Sequence, residues 1–369
     1  MIGMNIQRWL WLMCLGATIG RAPAFDWELQ RFEGRDYVSL ESLAAFYRLP
    51  VPPPIEPQTF VGPPAPGLVA VAPSVALPPA PILLKGEGTE FEITPKSREV
   101  MINGVKQWLA FPVHVEGAKA FISRLDLAKI IEPRMRPERL QGLHPVRTVV
   151  LDPGHGGHDR GAISRYGFEK DFALDVALRV RELLEANRYK VVMTRSSDIF
   201  IPLEERAAIA NRIEDAIFVS IHFNASDTNA LARGFEIFSI APRGAPATND
   251  GVFSERNLRE EPGNAVDLPS TALAGTIYNA LLGHIPNVDR GLKHARFAVL
   301  RRCTVPAVLV ECGFVSNGPE SALIGSTAWR KKVAEAIVDG VDNYKGLAER
   351  GEKPKAVVDY RRASGGGVE

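Results

Sequence analysis

The stretch LDPGHGGHDRGA, Leu151 to Ala162, decides how this chain is read. An apolar run, Thr148 to Leu151, breaks into four glycines, two histidines and two aspartates. A buried strand that ends so is either closed by a tight structural turn or delivers a ligand where something approaches the backbone closely.

Working outward, TVVLD, YKVVMT, AIFVSIHFN, GFEIFSI, FAVL and PAVLVECGF read as strands. Lys170–Asn187, Leu203–Ile213, Thr271–Ile285 and Ala328–Tyr344 read as helices. Apolar strands separated by amphipathic helices predict an α/β fold, a mostly parallel central sheet flanked by helices. Ligands in such sheets bind at the carboxyl ends of the strands. His155 follows VVLDPG, His222 follows FVSI and Glu311 follows PAVLV, while Glu169 stands just before the helix at Lys170. Two histidines and one carboxylate form the ligand set of a catalytic zinc site that keeps a position for water. Positions 155, 169 and 222 lie 14 and 53 residues apart, so only a folded sheet gathers them. Glu169 is the weakest of the four on the residues alone, because a helix N-terminus favours an acid without any metal. Glu311 is costly in so apolar a strand unless it has a task. Gly154, Gly156 and Gly157 are expected to leave room for a bulky ligand above the metal. His158 and Asp159 read as loop-fixing groups, and Asp152 as a candidate to receive the second N–H of a ligating imidazole. His114, His144, His284 and His294 fall outside this set.

The region His144 to Lys345 resembles the zinc-dependent N-acetylmuramoyl-L-alanine amidases of the amidase 3 type. The blocks that carry the resemblance are VVLDPGHGGHDRGA, GFEKDFALDVALRVRELLE, VVMTRSSDIFIPLEERAAIAN, FVSIHFNAS, GFEIF, DRGLKHARFAVLR and PAVLVECGFVSN. It implies the phosphorylase/hydrolase-like amidase fold, one Zn²⁺ per chain on His155, Glu169 and His222, and Glu311 as catalytic acid/base. It also implies peptidoglycan as partner and hydrolysis of the amide between N-acetylmuramic acid and L-alanine of the stem peptide. Competing readings are a catalytically silent wall-binding protein of the same fold and a zinc peptidase acting on free peptides. Residues 239–270 exceed what a minimal member needs. With prolines at 242, 246, 262 and 269, this segment reads as a substrate-lining loop rather than the autoinhibitory helix some relatives carry.

Ahead of this domain, Arg8, the apolar run Trp9–Thr18 and Ala22-Pro23-Ala24 read as a secretory signal over residues 1–24. The protein is therefore expected to be exported, to the periplasm or cell envelope, with no membrane span after signal removal. Residues 25–140 read as a small α+β module. Ser39 caps a short helix, and Asn103-Gly104 signals a hairpin between Val100–Ile102 and the next strand. The order YVSLESLA, EVMINGVKQWL, AFISRLDLAKII resembles the small N-terminal domain of copper amine oxidases, with a single histidine and no copper set. The module reads as a scaffold or envelope-facing part, a possible contact for an activator or anchor, dispensable for the chemistry. Residues 51–81 hold 11 of the 28 prolines and read as an extended excursion. Residues 145–346 are assigned to the zinc amidase and the charged, glycine-rich 347–369 to a disordered tail.

The formal net charge is +1, so no field draws the chain to nucleic acid. Cys303 and Cys312 are too far apart along one extended stretch to pair, and two free buried thiols are expected.

Overall fold

The structure, a computed structural model, describes residues 25–55, 59–60, 75–76, 80–250 and 252–363, with only the backbone at 59–60 and 75–76. The segment expected to be a secretory signal and most of the proline-rich excursion lie outside the described residues.

The chain begins with β1 (Leu29–Phe32), β2 (Arg35–Ser39), α1 (Leu40–Tyr47), β3 (Thr59–Phe60) and β4 (Val75–Ala76). Four strands follow: β5 (Ile82–Gly86), β6 (Thr89–Ile93), β7 (Glu99–Ile102) and β8 (Val105–Trp108). Next come β9 (His114–Glu116), β10 (Lys119–Ser123), α2 (Arg124–Asp126), a π turn at Leu127–Ile131 and α3 (Glu132–Met135). The second half runs β11 (Thr148–Pro153), β12 (Ile163–Ser164), β13 (Gly167–Phe168), α4 (Glu169–Ala186), β14 (Lys190–Met193) and α5 (Leu203–Asn211). It continues with β15 (Ala216–Asn224), β16 (Phe235–Ile240), α6 (Asp267–His284), β17 (Asp289–Ala295), α7 (Ala298–Arg302) and β18 (Ala307–Phe314). It closes with α8 (Gly318–Gly325), α9 (Thr327–Arg350) and α10 (Val357–Ala363).

Local signals act as expected in several places. The Ser39 side chain accepts from Ser42 N at the start of α1. Asn103 and Gly104 both take positive φ, 51° and 72°, as the tight turn joining β7 to β8 requires. Cys303 and Cys312 are free and buried.

Ten strands form one sheet in the order β14-β11-β15-β18-β16-β17-β8-β7-β6-β5. The run from β14 to β18 is parallel, β16 is antiparallel to β18, and β17 is parallel to β16. Strand alternation divides the side chains between two cores. Val149, Leu151, Val219, Ile221, Val308 and Val310 join the larger core with residues of α4, α6 and α9. Val150, Phe218, Ala307 and Leu309 join a smaller one with Ala207 and Ala210 of α5 and Val299 of α7. By the same alternation Asp152, Ser220, His222, Glu236 and Glu311 all fall on the thinly covered face. That face is where a site can open.

Three expectations change. The run FAVL, expected as a strand, forms helix α7, while the strand occupies Asp289–Ala295 before it. Four apolar residues fit either element, and Asp289, Arg290, Lys293 and His294 hide the apolar signature of β17. The tail expected to be disordered from 347 is structured through Ala363. Helix α9 runs to Arg350 and stops at Gly351 in the left-handed conformation (φ 65°). Beyond it Val357 and Tyr360 bury themselves in the main core, two anchors that the charged composition obscured. Finally, the N-terminal part does not stand apart. Strand β8 pairs in parallel with β17 at Leu292↔Gln107, and Val105 belongs to the main core. Lys106 N donates to Asp289 Oδ2 at 2.8 Å and Trp108 Nε1 donates to Arg290 O at 2.9 Å.

Candidate metal centre

The loop after β11 is held from behind by two arginines, each only 2% exposed. Arg206 of α5 donates from Nη2 to His155 O (2.7 Å) and from Nη1 to Pro153 O (2.8 Å) and Asp152 Oδ1 (2.9 Å). Arg195 donates from Nη2 to Gly154 O (2.6 Å) and Lys170 O (2.8 Å). A buried guanidinium is tolerated because these acceptors replace its water. Reading the sequence alone singled out neither residue. The available signal was a charged side chain on the face of α5 that also carries buried Ala207 and Ala210. Gripped in this way, His155 sits at φ 57°, a region non-glycine residues seldom occupy.

Glu169 opens α4 at the end of the β12–β13 hairpin. Its backbone N donates to Ala162 O at 2.9 Å, and its Oε2 accepts from Ala162 N at 2.8 Å. That double tie aims Oε1 at His155 Nε2 and His222 Nδ1, both at 3.0 Å. One ligand atom from each of the three residues lies within 4.8 Å of the others. Tetrahedral donors on a zinc-sized ion stand about 3.4 Å apart, so this cluster fits a divalent metal with small adjustment. Burial opposes the charge on Glu169, but hydrogen bonds and charge from the two imidazoles outweigh it and hold the carboxyl well below its usual range. Burial also opposes the His155 cation, yet Glu169 and Asp159 together raise its pKa above the ordinary value.

Asp159 Oδ2 lies 2.9 Å from His155 Nδ1, so Asp159 is the carboxylate that orients this ring. Asp152, the candidate for that role, is engaged elsewhere. It accepts from Thr194 Oγ1 (2.6 Å), Ser220 Oγ (2.7 Å) and Arg206. Gly154 and Gly161 make room for the site's own side chains, whereas a Cβ on Gly156 or Gly157 would meet Ile199 O or Phe200 N. A Cβ on Gly154 would come within 2.3 Å of the His222 ring. One on Gly161 would come within 2.6 Å of Glu169 Oε2.

Glu311 is the ladder partner of His222 on β18. Its Oε2 is sealed from solvent and has no hydrogen-bond partner among the described residues. Burial, reinforced by the Glu169 and Glu236 charges and opposed by Lys293, pushes its pKa well above the usual carboxylate value. On its other side stands Glu236 of β16. Glu236 is bound by Lys293 Nζ at 2.9 Å and by Arg290 Nε. This triad, with Glu236 and Lys293 buried and Arg290 partly exposed, was not read from the sequence. All four predicted site residues, His155, Glu169, His222 and Glu311, line one cleft of about 570 Å³ together with Phe200, Asn224 and Phe297. Residues 239–270, expected to line it, contribute no lining residue to it, and part of that segment packs against the N-terminal part. There Ala245 enters the core of that part, Phe253 packs on it, and Thr248 O accepts from Arg98. Among the other histidines, His294 is buried beside Ser239 and His284 pairs with Asp339.

Residues 149–343 match the N-acetylmuramoyl-L-alanine amidase family model. The amidase AmiA of Escherichia coli K12 is 39% identical over 252 residues, covering 62% of this chain and 86% of that protein. The amidase AmiC of Neisseria meningitidis serogroup B is 35% identical over 240 residues, covering 59% of this chain and 57% of its own length. An N-acetylmuramoyl-L-alanine amidase structure from Clostridium difficile 630 is 31% identical, covering 56% of this chain and 100% of that one, with a TM-score of 0.46. With more than half its length inside the family model, this chain belongs to the N-acetylmuramoyl-L-alanine amidase family.

Proposed function

We propose that the chain hydrolyses the amide joining the lactyl group of N-acetylmuramic acid to L-alanine of the stem peptide in peptidoglycan. One observation carries the reading: three converging ligand atoms and the carboxylate residue Glu311 share one cleft. One zinc ion per chain would be held by His155 Nε2, Glu169 Oε1 and His222 Nδ1. Bound there, zinc would act as a Lewis acid that activates water and polarises the scissile carbonyl. Asp159 accepts a hydrogen bond from His155 Nδ1–H and so turns the Nε2 lone pair toward the metal position. Arg195 and Arg206 hold the loop carbonyls so that the ring cannot drift. The Glu311 carboxylate accepts a proton from water as the water oxygen bonds to the carbonyl carbon. It then returns that proton to the nitrogen as the C–N bond breaks, releasing a free L-alanine amine and a lactyl carboxylate. A carboxyl with raised proton affinity is suited to both steps.

Residues 1–24 are assigned to export, placing the protein in the periplasm or cell envelope. Residues 25–140 are assigned to a module like that of copper amine oxidases and 145–346 to the amidase domain. Among the described residues no helix is long and apolar enough to cross a membrane. The test is product analysis on purified peptidoglycan. Intact stem peptides bearing a free L-alanine amine are expected. Cleavage inside the peptide, or binding without release, would overturn the reading.

A further inference from the structure

A cleft of about 760 Å³, larger than the one at the metal centre and sharing no lining residue with it, lies between the two halves of the chain. The β5–β6 hairpin and the β7–β8 turn form one wall, and α6 with residues 353–362 forms the other. Its charge is one-sided. Lys85, Arg134, Lys353, Lys355 and Arg362 line it, against Glu90 and Asp359. Both carboxylates are already engaged. Glu90 sits 3.5 Å from Lys85, and Asp359 Oδ2 accepts from Ala356 N at 2.8 Å. The other four cations make no ion pair with any described residue.

Arg134 gives this cleft a built interior rather than a rim of solvated lysines. Its Nη2 donates to Asn279 Oδ1 at 3.0 Å, while Nε is buried with no partner among the described residues. The guanidinium lies against α6 where Gly275 lacks a side chain. A Cβ there would stand 1.6 Å from Nη1. Asn279 is itself fixed, donating from Nδ2 to Lys355 O at 3.0 Å. Burial lowers the Arg134 pKa to about 10, which leaves it cationic at neutral pH. A buried donor without an acceptor is unfavourable unless something supplies one. Arginine supplies paired N–H donors suited to phosphate and carboxylate groups.

We propose that this cleft is a binding site for a multiply charged anion carrying phosphate or carboxylate groups, distinct from the metal centre. Its volume falls in the range of small-ligand sites, larger than a single oxyanion requires. The proposal does not rest on the amidase reading, because its readout is binding.

The experiment is calorimetric titration of the full chain with pyrophosphate and, separately, with citrate, using chloride at matched ionic strength as control. Saturable binding of at least one probe is expected, and it should weaken with added salt because most of the cations are exposed. Tighter binding of pyrophosphate would point to phosphate-bearing polymers as the natural source, tighter binding of citrate to peptide carboxylates. Arg134→Gln should weaken binding at least tenfold. The surface double variant Lys353→Ala/Arg362→Ala should do likewise and decides the matter if Arg134→Gln fails to fold. Cleavage of a soluble muramyl-peptide should be unchanged in the double variant. No binding beyond the chloride control, or wild-type affinity in the double variant, would overturn the proposal.

Discussion

Glu236 and Glu311 stand directly opposite each other on adjacent antiparallel strands, and only Glu236 has cations of its own. Lys293 and Arg290 bind it, while Glu311, pushed up by burial, has only the Lys293 charge to oppose the rise. In the proposed reaction Glu236 is the bound counter-ion and Glu311 the proton carrier. Trp108 of β8 lies over Lys293, 5.7 Å from ring centroid to Nζ, so the N-terminal part roofs this triad.

Removing Lys293 should therefore be more damaging than its distance from the cleft suggests. Breaking a buried pair by deleting one partner costs about 3–5 kcal/mol. Lys293→Met should lower the urea midpoint accordingly and reduce kcat, with Lys293→Arg partly restoring both. A Lys293→Met protein with unchanged stability and turnover would refute the role given to this triad.

Glu311→Gln should retain metal and lose on the order of 10²–10⁴ in rate, the usual range for general acid/base removal. His222→Ala should instead lose metal. Elemental analysis separates the two. A Glu311→Gln protein isolated without metal would make Glu311 a ligand.

Gly154→Ala and Gly161→Ala test whether the loop glycines serve the site's own side chains. Each new Cβ meets His222 or Glu169 at less than 3 Å. Displacing a supporting contact of this kind typically costs 10–100-fold in metal affinity. Chelator competition measures it, and wild-type retention in both variants would contradict the packing argument.

The metal must bind a neutral His155, whose pKa is raised above the ordinary 6.5. Protons compete below the folded pKa, so metal occupancy is complete at higher pH and falls as pH drops through that raised value. The onset should lie at higher pH than for an unperturbed imidazole. Asp159 contributes to the elevation, so Asp159→Asn should move the onset to lower pH. An onset shifted the other way would exclude Asp159 as the group that holds the His155 proton.

A chain starting at Leu140 should not behave as a free-standing enzyme, contrary to the dispensable module expected from the sequence. It loses the strand beside β17, the roof over Lys293 and Val105 of the main core. An uncovered strand edge invites association. Aggregation or a strongly lowered Tm is expected, with activity lost on soluble muramyl-peptide as well as on walls. Full activity on the soluble substrate would show that the shared sheet is not required.

The sequence by itself determined most of the sheet-and-helix order of the second half, β17 and α7 apart, the four residues at strand and helix ends, and the resemblance that ranked them. These were legible because strand period, helix period and glycine-rich breaks are local properties of the chain. Asp159 could be placed near His155 but not distinguished from Asp152 as the ring's partner, because that choice depends on where Arg206, Thr194 and Ser220 arrive in space. The same holds for Arg195, Lys293 and Glu236, whose long-range acceptors or counter-ions lie 25 to 57 residues away. Strand β17 stayed hidden because its lysine and histidine look exposed until β16 and β8 flank them. The joining of the N-terminal strands to the catalytic sheet was settled only by tertiary structure. Edge pairing is made through backbone groups that every residue carries, and side-chain sequence leaves little trace of it.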